Sequence, residues 1–439
     1  KIILSLFCLL LVLVTSSCST EKYTAKNKSD FVDLFMGVQG FSNCVIGPQL
    51  PHGSTNPSPQ TPNGHHDGYD PKEPIRGFGQ LHASGTGWGR YGQIFISPQI
   101  GFNASEDGHD SPKSEEIASP YYYAVNLDRY GIKAEVTPTH NCALYRFTFP
   151  QSKDANILLD IAHNIPQHIV PFVNGRFVGG EINYNKAENI LTGWGEYIGG
   201  FGNDTDPYKV YYCVALNIAP EQVVIKDEKE KALYAQIKLV ENPGSVLLKV
   251  GVSMKSVDNA VSFIEKELAD KSFETTKDEA LKAWEDVFAT IDVQGGSDYE
   301  TRMFYTTMYH SFVMPRDRTG DNPNWESKSP HFDDHYCVWD TWRTKYPLML
   351  LVKESFVANT INSFIDRYTH QGVVKPTYTS SLIWDWKQGG DDVDNIIADA
   401  FIKDVKGFDR EKAYELIEFN AFNDRDKEYI RLGWVPEPA

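Results

Sequence analysis

Ser245-Val246-Leu247-Leu248-Lys249-Val250-Gly251-Val252-Ser253-Met254-Lys255-Ser256-Val257-Asp258-Asn259-Ala260-Val261-Ser262-Phe263-Ile264-Glu265-Lys266-Glu267-Leu268 changes its period partway along. Up to Val252 the run is aliphatic and β-rich. From Val257 the apolar residues fall at 257, 261, 264 and 268, which is the spacing of one helix face. The junction near Ser256 therefore separates a β region from a helical one.

Upstream, β signals run from about Phe31 to Val252. Tyr121, Tyr123, Val125 and Leu127 alternate, Asp128 to Gly131 supply a turn, and Ile132, Ala134 and Val136 alternate again, predicting a hairpin. Further runs at Ala143–Phe149, Asn156–Ile161, Tyr208–Leu216 and Gln222–Ile225 are bounded by Gly, Pro, Asn or Asp. Many short strands at this spacing predict an antiparallel β-sandwich. Downstream, helical patterns occupy Glu279–Phe288, Tyr299–Val313, Thr341–Leu351, Phe356–Tyr368, Val393–Val405 and Glu411–Phe422. No strand–helix alternation and no Gly-x-Gly-x-x-Gly loop argue for a nucleotide fold. The expected plan is a sandwich domain over 31–255, a helical linker over 256–294 and a helical domain over 295–439.

The chain has 439 residues, with 59 acidic against 42 basic side chains and a formal charge of −17. That charge, with no basic stripe, argues against a nucleic-acid partner. Nine Trp and 23 Tyr suit both packed cores and sugar-stacking surfaces. Lys1, the apolar run Ile2–Val14 and Thr15-Ser16-Ser17-Cys18 read as a lipoprotein-type signal peptide over 1–17. In that reading Cys18 is lipidated and 18–30 form a polar tether. The alternative is a soluble secreted protein cut near Ser17. Cys44, Cys142, Cys213 and Cys337 are widely spaced without a Cys-x-x-Cys pair, so no zinc knuckle is indicated, and a single disulfide stays open without an assigned pairing.

Five stretches could carry chemistry. Gly77 to Gly89 surrounds His82 and Trp88 with five glycines, either a binding loop or a structural turn. Asn63 to Asp70, with His65 and His66 adjacent, reads as a polar loop. His331-Phe332-Asp333-Asp334-His335 lacks the Glu of a helical zinc motif and lies near Pro323 and Pro330, so it reads as a loop. In Val338-Trp339-Asp340-Thr341-Trp342-Arg343, Asp340 and Arg343 at a helix start can face one pocket, with Trp339 or Trp342 as its wall. A carboxylate accepts and a guanidinium only donates, so together they can clamp adjacent sugar hydroxyls. The bland alternative is a surface ion pair. Trp384 to Asp394 is the densest acidic and aromatic segment; its spacing is not that of an EF-hand, and Asp391 or Asp392 can cap the following helix. Asp399, among Ile396, Ile397, Ala398 and Phe401, reads as a buried carboxylate with a partner.

Gly47-Pro48-Gln49-Leu50, Gly68-Tyr69, Ile75-Arg76-Gly77-Phe78, Leu81 to Gly87, Pro120-Tyr121-Tyr122 and Val250 to Ser256 resemble, in order, the N-terminal part of glycoside hydrolase family 92. Phe304 to His310, Trp339-Asp340-Thr341-Trp342-Arg343 with Pro347-Leu348, and Ile397 to Phe401 continue the likeness. The resemblance implies a bacterial, calcium-dependent exo-α-mannosidase that hydrolyses with inversion. It implies a β-sandwich, a helical linker and an (α/α)6 barrel, here in part, with the pocket between domains. His82 and Trp88 match the loop reaching the terminal mannose; Asp340 and Arg343, beside Trp339, match the residues holding its hydroxyls. The family's acid Glu and base Asp are expected beyond Ala439, so no catalytic residue is expected in this chain, and the calcium ligands are not assigned. The stretch Gln371 to Asp394 departs from the family wording, which leaves the linkage open. The implied partner is a mannose-containing glycan. Membrane contact is expected through the lipid anchor only, on a periplasmic or outer-membrane, cell-surface lipoprotein. Two alternatives are a non-catalytic glycan-binding surface lipoprotein and a barrel glycosidase acting on another sugar.

Overall fold

The computed structural model describes residues 26–40, 42–62, 64, 67–85, 91–165, 175–200, 206–336, 338–383 and 392–434. Two antiparallel sheets form the N-terminal part. The first has six strands: β1 (Ser58–Gln60), β2 (Gly77–Gly79), β3 (Phe95–Ile100), β8 (Ala155–Asp160), β13 (Leu233–Lys238) and β12 (Gln222–Asp227), in that order. The second has eight, in the order β4 (Lys113–Ser119), β5 (Tyr122–Leu127), β6 (Ile132–Pro138), β7 (Cys142–Thr148), β14 (Ser245–Ser253), β11 (Tyr208–Leu216), β10 (Ile190–Ile198) and β9 (Arg176–Asn185). Their facing side chains share one apolar core. Phe78 of β2 lies 5.8 Å from Tyr145 and 6.3 Å from Phe147 of β7. This is the antiparallel sandwich that the alternating runs predict.

The hairpin of β5 and β6 turns at Asp128–Gly131 as expected. Strands β9 and β10 carry too little aliphatic character to announce themselves. Three of their four glycines, Gly180, Gly193 and Gly195, serve close approach instead: a Cβ at Gly193 would sit 1.8 Å from the Glu181 carbonyl oxygen.

At the period change, Ser256 caps α1 (Val257–Leu268) by accepting from the Asn259 amide. The α1 face of Ala260, Ile264 and Leu268 packs on Cys142, Leu144 and Cys213 of the eight-stranded sheet. Gly251 lies under this crossing, and a Cβ there would come 2.4 Å from the Ala260 carbonyl oxygen. Gly251→Ala should therefore cost about 1–3 kcal/mol through overpacking, read as a lower urea midpoint with unchanged slope. Cys142 and Cys213 both register with Gly251 from opposite sides of β14. Two strand spacings, roughly 9.5 Å, are too wide for a disulfide. Cys44, Cys142 and Cys213 are free thiols.

Helix α2 (Phe273–Phe288) joins the two regions through the buried Trp284, whose Nε1 donates to the Gln49 carbonyl (2.7 Å) and whose ring lies 4.8 Å from Tyr309. Tyr309 belongs to α3 (Asp298–Ser311). The helical part continues with α4 (Val338–Thr341), α5 (Lys345–Val352), α6 (Glu354–Gln371), α7 (Asp392–Ile402), α8 (Arg410–Phe422) and α9 (Lys427–Leu432). The single helix expected over Thr341–Leu351 is two. Pro347 has no N–H to give residue 343 and its ring would clash with that carbonyl, so a fresh helix starts at Lys345. The expected buried carboxylate at Asp399 is also corrected. The apolar face of α7 is Val393, Ile396, Ile397 and Ala400; Asp399 lies off it and pairs with Lys403 near the surface at 2.7 Å. Among the described residues no helix is long and apolar enough to cross a membrane.

Candidate functional site

A cavity of about 310 Å³ opens where the sandwich meets the helices. Cys44, Ser84 and Gly85 line it from the sandwich side; Asp334, Asp340 and Lys345 are among those lining it from the helical side. The two sides are tied across the cavity by Tyr336, whose hydroxyl donates to the Ser84 carbonyl at 2.5 Å.

Behind the wall lies a buried ionic cluster. Asp334 receives Arg316 (3.0 Å) and Arg318 (2.9 Å); Asp333 receives Arg318 and Arg367, the latter at 3.3 Å, and all five side chains have no exposed surface. Arg316 also donates to the carbonyls of Gly53 (3.1 Å), Ser54 (3.2 Å) and His82 (2.5 Å), so one guanidinium stitches sandwich loops to the helical part. The segment 331–335 is indeed no helix: Phe332 and Asp333 pair as a short strand with Arg316 and Asp317. Sequence reasoning weighed this segment only for zinc and missed the cluster. The available signal was the alternation of Arg316 and Arg318 opposite an Asp-Asp pair.

Lys345 is the second feature not foreseen. Its amine donates to the Met314 carbonyl and lies 5.3 Å from the Phe356 ring. Among the described residues no carboxylate pairs with it, and burial pulls it down to about 7. His310 and His335, also on the cavity, each have a ring Nε2 without a hydrogen-bond partner among the described residues, and burial holds both rings below the usual histidine range.

The residues singled out from sequence separate. Asp340 is exposed at the cavity rim. Arg343 does not join it: with α4 ending at Thr341, residues 342–344 turn away, and Arg343 donates to the Trp339 carbonyl (2.9 Å) and lies over the Trp342 ring at 5.0 Å. Trp339, half-buried, is not among the cavity-lining residues. The four-residue α4 is too short to bring positions 340 and 343 onto one face. His82 is enclosed rather than presented. Its Nδ1 donates to the Asn56 carbonyl (3.1 Å), fixing the tautomer, and its Nε2 accepts from Gln60 (3.1 Å). Gln60 in turn accepts from His163 at 2.5 Å. Trp88, Cys18, Cys337, His65 and His66, and the stretch 384–391, lie outside the described residues.

Burial drives the His82 ring down to about 3. Its folded pKa is below the unfolded value near 6.5, so the unfolded chain binds the extra proton and stability falls as pH drops through that window. One such ring should cost about 2 kcal/mol between pH 6.5 and 5. Other titrating groups cancel when two proteins are compared: His82→Gln should flatten the acid limb of the urea-stability profile by up to about that amount. Parallel profiles would show a ring that protonates freely.

Residues 31–253 match the family model for the glycosyl hydrolase family 92 N-terminal domain, and residues 259–439 that for the family's catalytic domain. A protein named an uncharacterized secreted glycosidase, from Arthroderma benhamiae, is 27% identical over 92% of this chain and 54% of its own length. A GH92 α-mannosidase from Bacteroides thetaiotaomicron, solved with mannoimidazole, superposes with a TM-score of 0.83 at 25% identity, over 92% of this chain and 57% of that one. A GH92 inverting mannosidase from the same organism superposes at 0.77 with 21% identity, over 94% and 59%, a likeness of fold. The chain thus spans about half the length of the curated relative it matches.

Proposed function

The chain belongs to glycosyl hydrolase family 92, and from that premise we propose that it works in exo-acting removal of terminal α-mannosyl residues from glycans, the interdomain cavity holding the sugar. The observation that carries this reading is the meeting of the glycine-rich loop at Ser84–Gly85 with Asp340 across one cavity. The likeness to an α-mannosidase solved with mannoimidazole supports it.

In this reading Asp340 accepts hydrogen bonds from sugar hydroxyls at the rim, and the Lys345 amine and the open nitrogens of His310 and His335 meet polar atoms deeper in. His82 serves by holding the loop rather than touching sugar, and Trp88, of the same glycine-rich stretch, is proposed to contact the terminal sugar. Inverting hydrolysis needs an acid and a base carboxyl roughly 6.5–9.5 Å apart. Among the described lining residues the carboxylates are Asp334 and Asp340, and Asp334 is held by two arginines. These residues are therefore read as the sugar-holding wall and not as the proton-transfer pair. Calcium dependence belongs to the same reading. The described residues contain no cluster of three His, Cys, Asp or Glu side chains fit for a metal, so they do not by themselves make a calcium site. Export as a lipoprotein through Cys18 completes the proposal, supported by the leader sequence and by a relative named as secreted.

The one uncommitted carboxylate also favours a second reading, a glycan-binding protein without turnover. Incubating the chain with an aryl α-mannoside, with and without EDTA, while titrating mannose calorimetrically tests whether these residues hold the sugar and whether they turn it over. Binding without turnover is expected of these 439 residues. Turnover would refute the reading of these lining residues as a sugar-holding wall alone, and with it the second reading; a chain that neither binds nor turns over the sugar would refute the mannoside reading.

A further inference from the structure

Among the described residues, twelve non-glycine positions have positive φ, and four of them meet at one point: Tyr91 (+81°), Asp334 (+55°), Ser380 (+52°) and Ser381 (+62°). An aromatic residue in this region is a genuine outlier, kept only where its surroundings over-determine it. Such clusters mark places where geometry is being held for a purpose.

The surroundings here are specific. The Tyr91 hydroxyl donates to Asp334 Oδ1 (2.5 Å) and accepts from the Ser380 amide (3.1 Å) and from Arg318 (3.4 Å). The Ser380 amide also reaches Asp334 Oδ1 at 3.2 Å, and the Ser381 amide donates to Asp333 at 2.7 Å. All of these residues are buried. Tyr91, Asp334 and the Ser380–Ser381 pair belong to different stretches of chain. Tyr91 closes the stem of the glycine-rich loop, bridging to His82, with the Gly92 amide on the Leu81 carbonyl at 2.8 Å. Asp334 lines the cavity and lies six residues before Asp340. Ser380 and Ser381 turn the short hairpin between Tyr378–Thr379 and Leu382–Ile383. One phenol oxygen therefore joins three segments that are distant in sequence, two of which line the cavity directly or carry residues that do.

We propose that Tyr91 is a positioning residue, whose hydroxyl sets the glycine-rich loop, the Asp334–Asp340 segment and the 378–383 hairpin in one register and so fixes the width of the sugar cavity. The sugar arm of its test rests on the mannoside reading; the exchange arm does not.

Tyr91→Phe keeps the ring and its edge-on packing against Tyr208 at 6.1 Å, so the fold is retained. By hydrogen exchange on the whole chain, peptides covering 81–92, 332–341 and 378–383 should exchange faster together, by about tenfold, because local opening no longer breaks a buried charge-assisted bond. Peptides from β5, β6 and β7 should stay unchanged. Faster exchange confined to the peptide containing residue 91, or a uniform rise over all peptides, would overturn the proposal. Mannose affinity should fall by about tenfold while those sandwich peptides keep their protection. Unchanged affinity in a variant whose parent binds mannose would count against Tyr91. A parent that binds no mannose would refute the mannoside reading and leave the exchange result to decide on Tyr91.

Discussion

Replacing Asp334 with alanine should lower the free energy of unfolding by about 3–5 kcal/mol. The carboxylate has no exposed surface and takes up Arg316 at 3.0 Å and Arg318 at 2.9 Å. Forming such a pair gains little over an apolar contact, but removing one partner strands buried charge. Here two guanidiniums lose a counter-ion, and Asp333 alone remains, already shared between Arg318 and Arg367. Urea denaturation followed by tryptophan fluorescence reads the loss directly. A change below about 1 kcal/mol would mean that water reaches the cluster and screens it.

Asp340→Ala should do the opposite: little to stability, much to recognition. The side chain is exposed at the rim, so its removal should shift stability by no more than about 0.5 kcal/mol. A charge-assisted bond to a sugar hydroxyl is worth about 1.5–3 kcal/mol, so affinity for an α-mannoside should fall about 10- to 100-fold. Titration calorimetry of the two proteins checks this, and affinities within about threefold, under 1 kcal/mol, would remove Asp340 from the site. The contrast between Asp334 and Asp340 separates what holds the cavity together from what meets the ligand.

Much of the architecture was legible because periodicity survives in single stretches. The alternation on either side of Asp128–Gly131 and the switch after Ser256 each report a local face, which a linear reading can find. The rim residue Asp340 was legible for the same reason, through a short run of unusual composition. The break between α4 and α5 was written in Pro347, outweighed in the reading by the apolar residues around it. The hub was not legible. Tyr91 and Asp334 are 243 positions apart and Tyr91 and Ser380 are 289 apart, and no local pattern announces such a pairing. The positive φ of Tyr91 also leaves no trace in residue type, since tyrosine is a poor choice there on local grounds. The Asp340–Arg343 clamp failed on a different count, the length of α4, which ends before a second turn can align the two.

The most direct measurement is a crystal structure of the chain soaked with mannoimidazole. Density for the sugar ring is expected in the interdomain cavity, between Ser84–Gly85 and Asp340, with a hydroxyl within hydrogen-bond distance of the Asp340 carboxylate. A ring bound elsewhere, on the open face of the sandwich or along the helices, with the cavity holding only solvent, would contradict it.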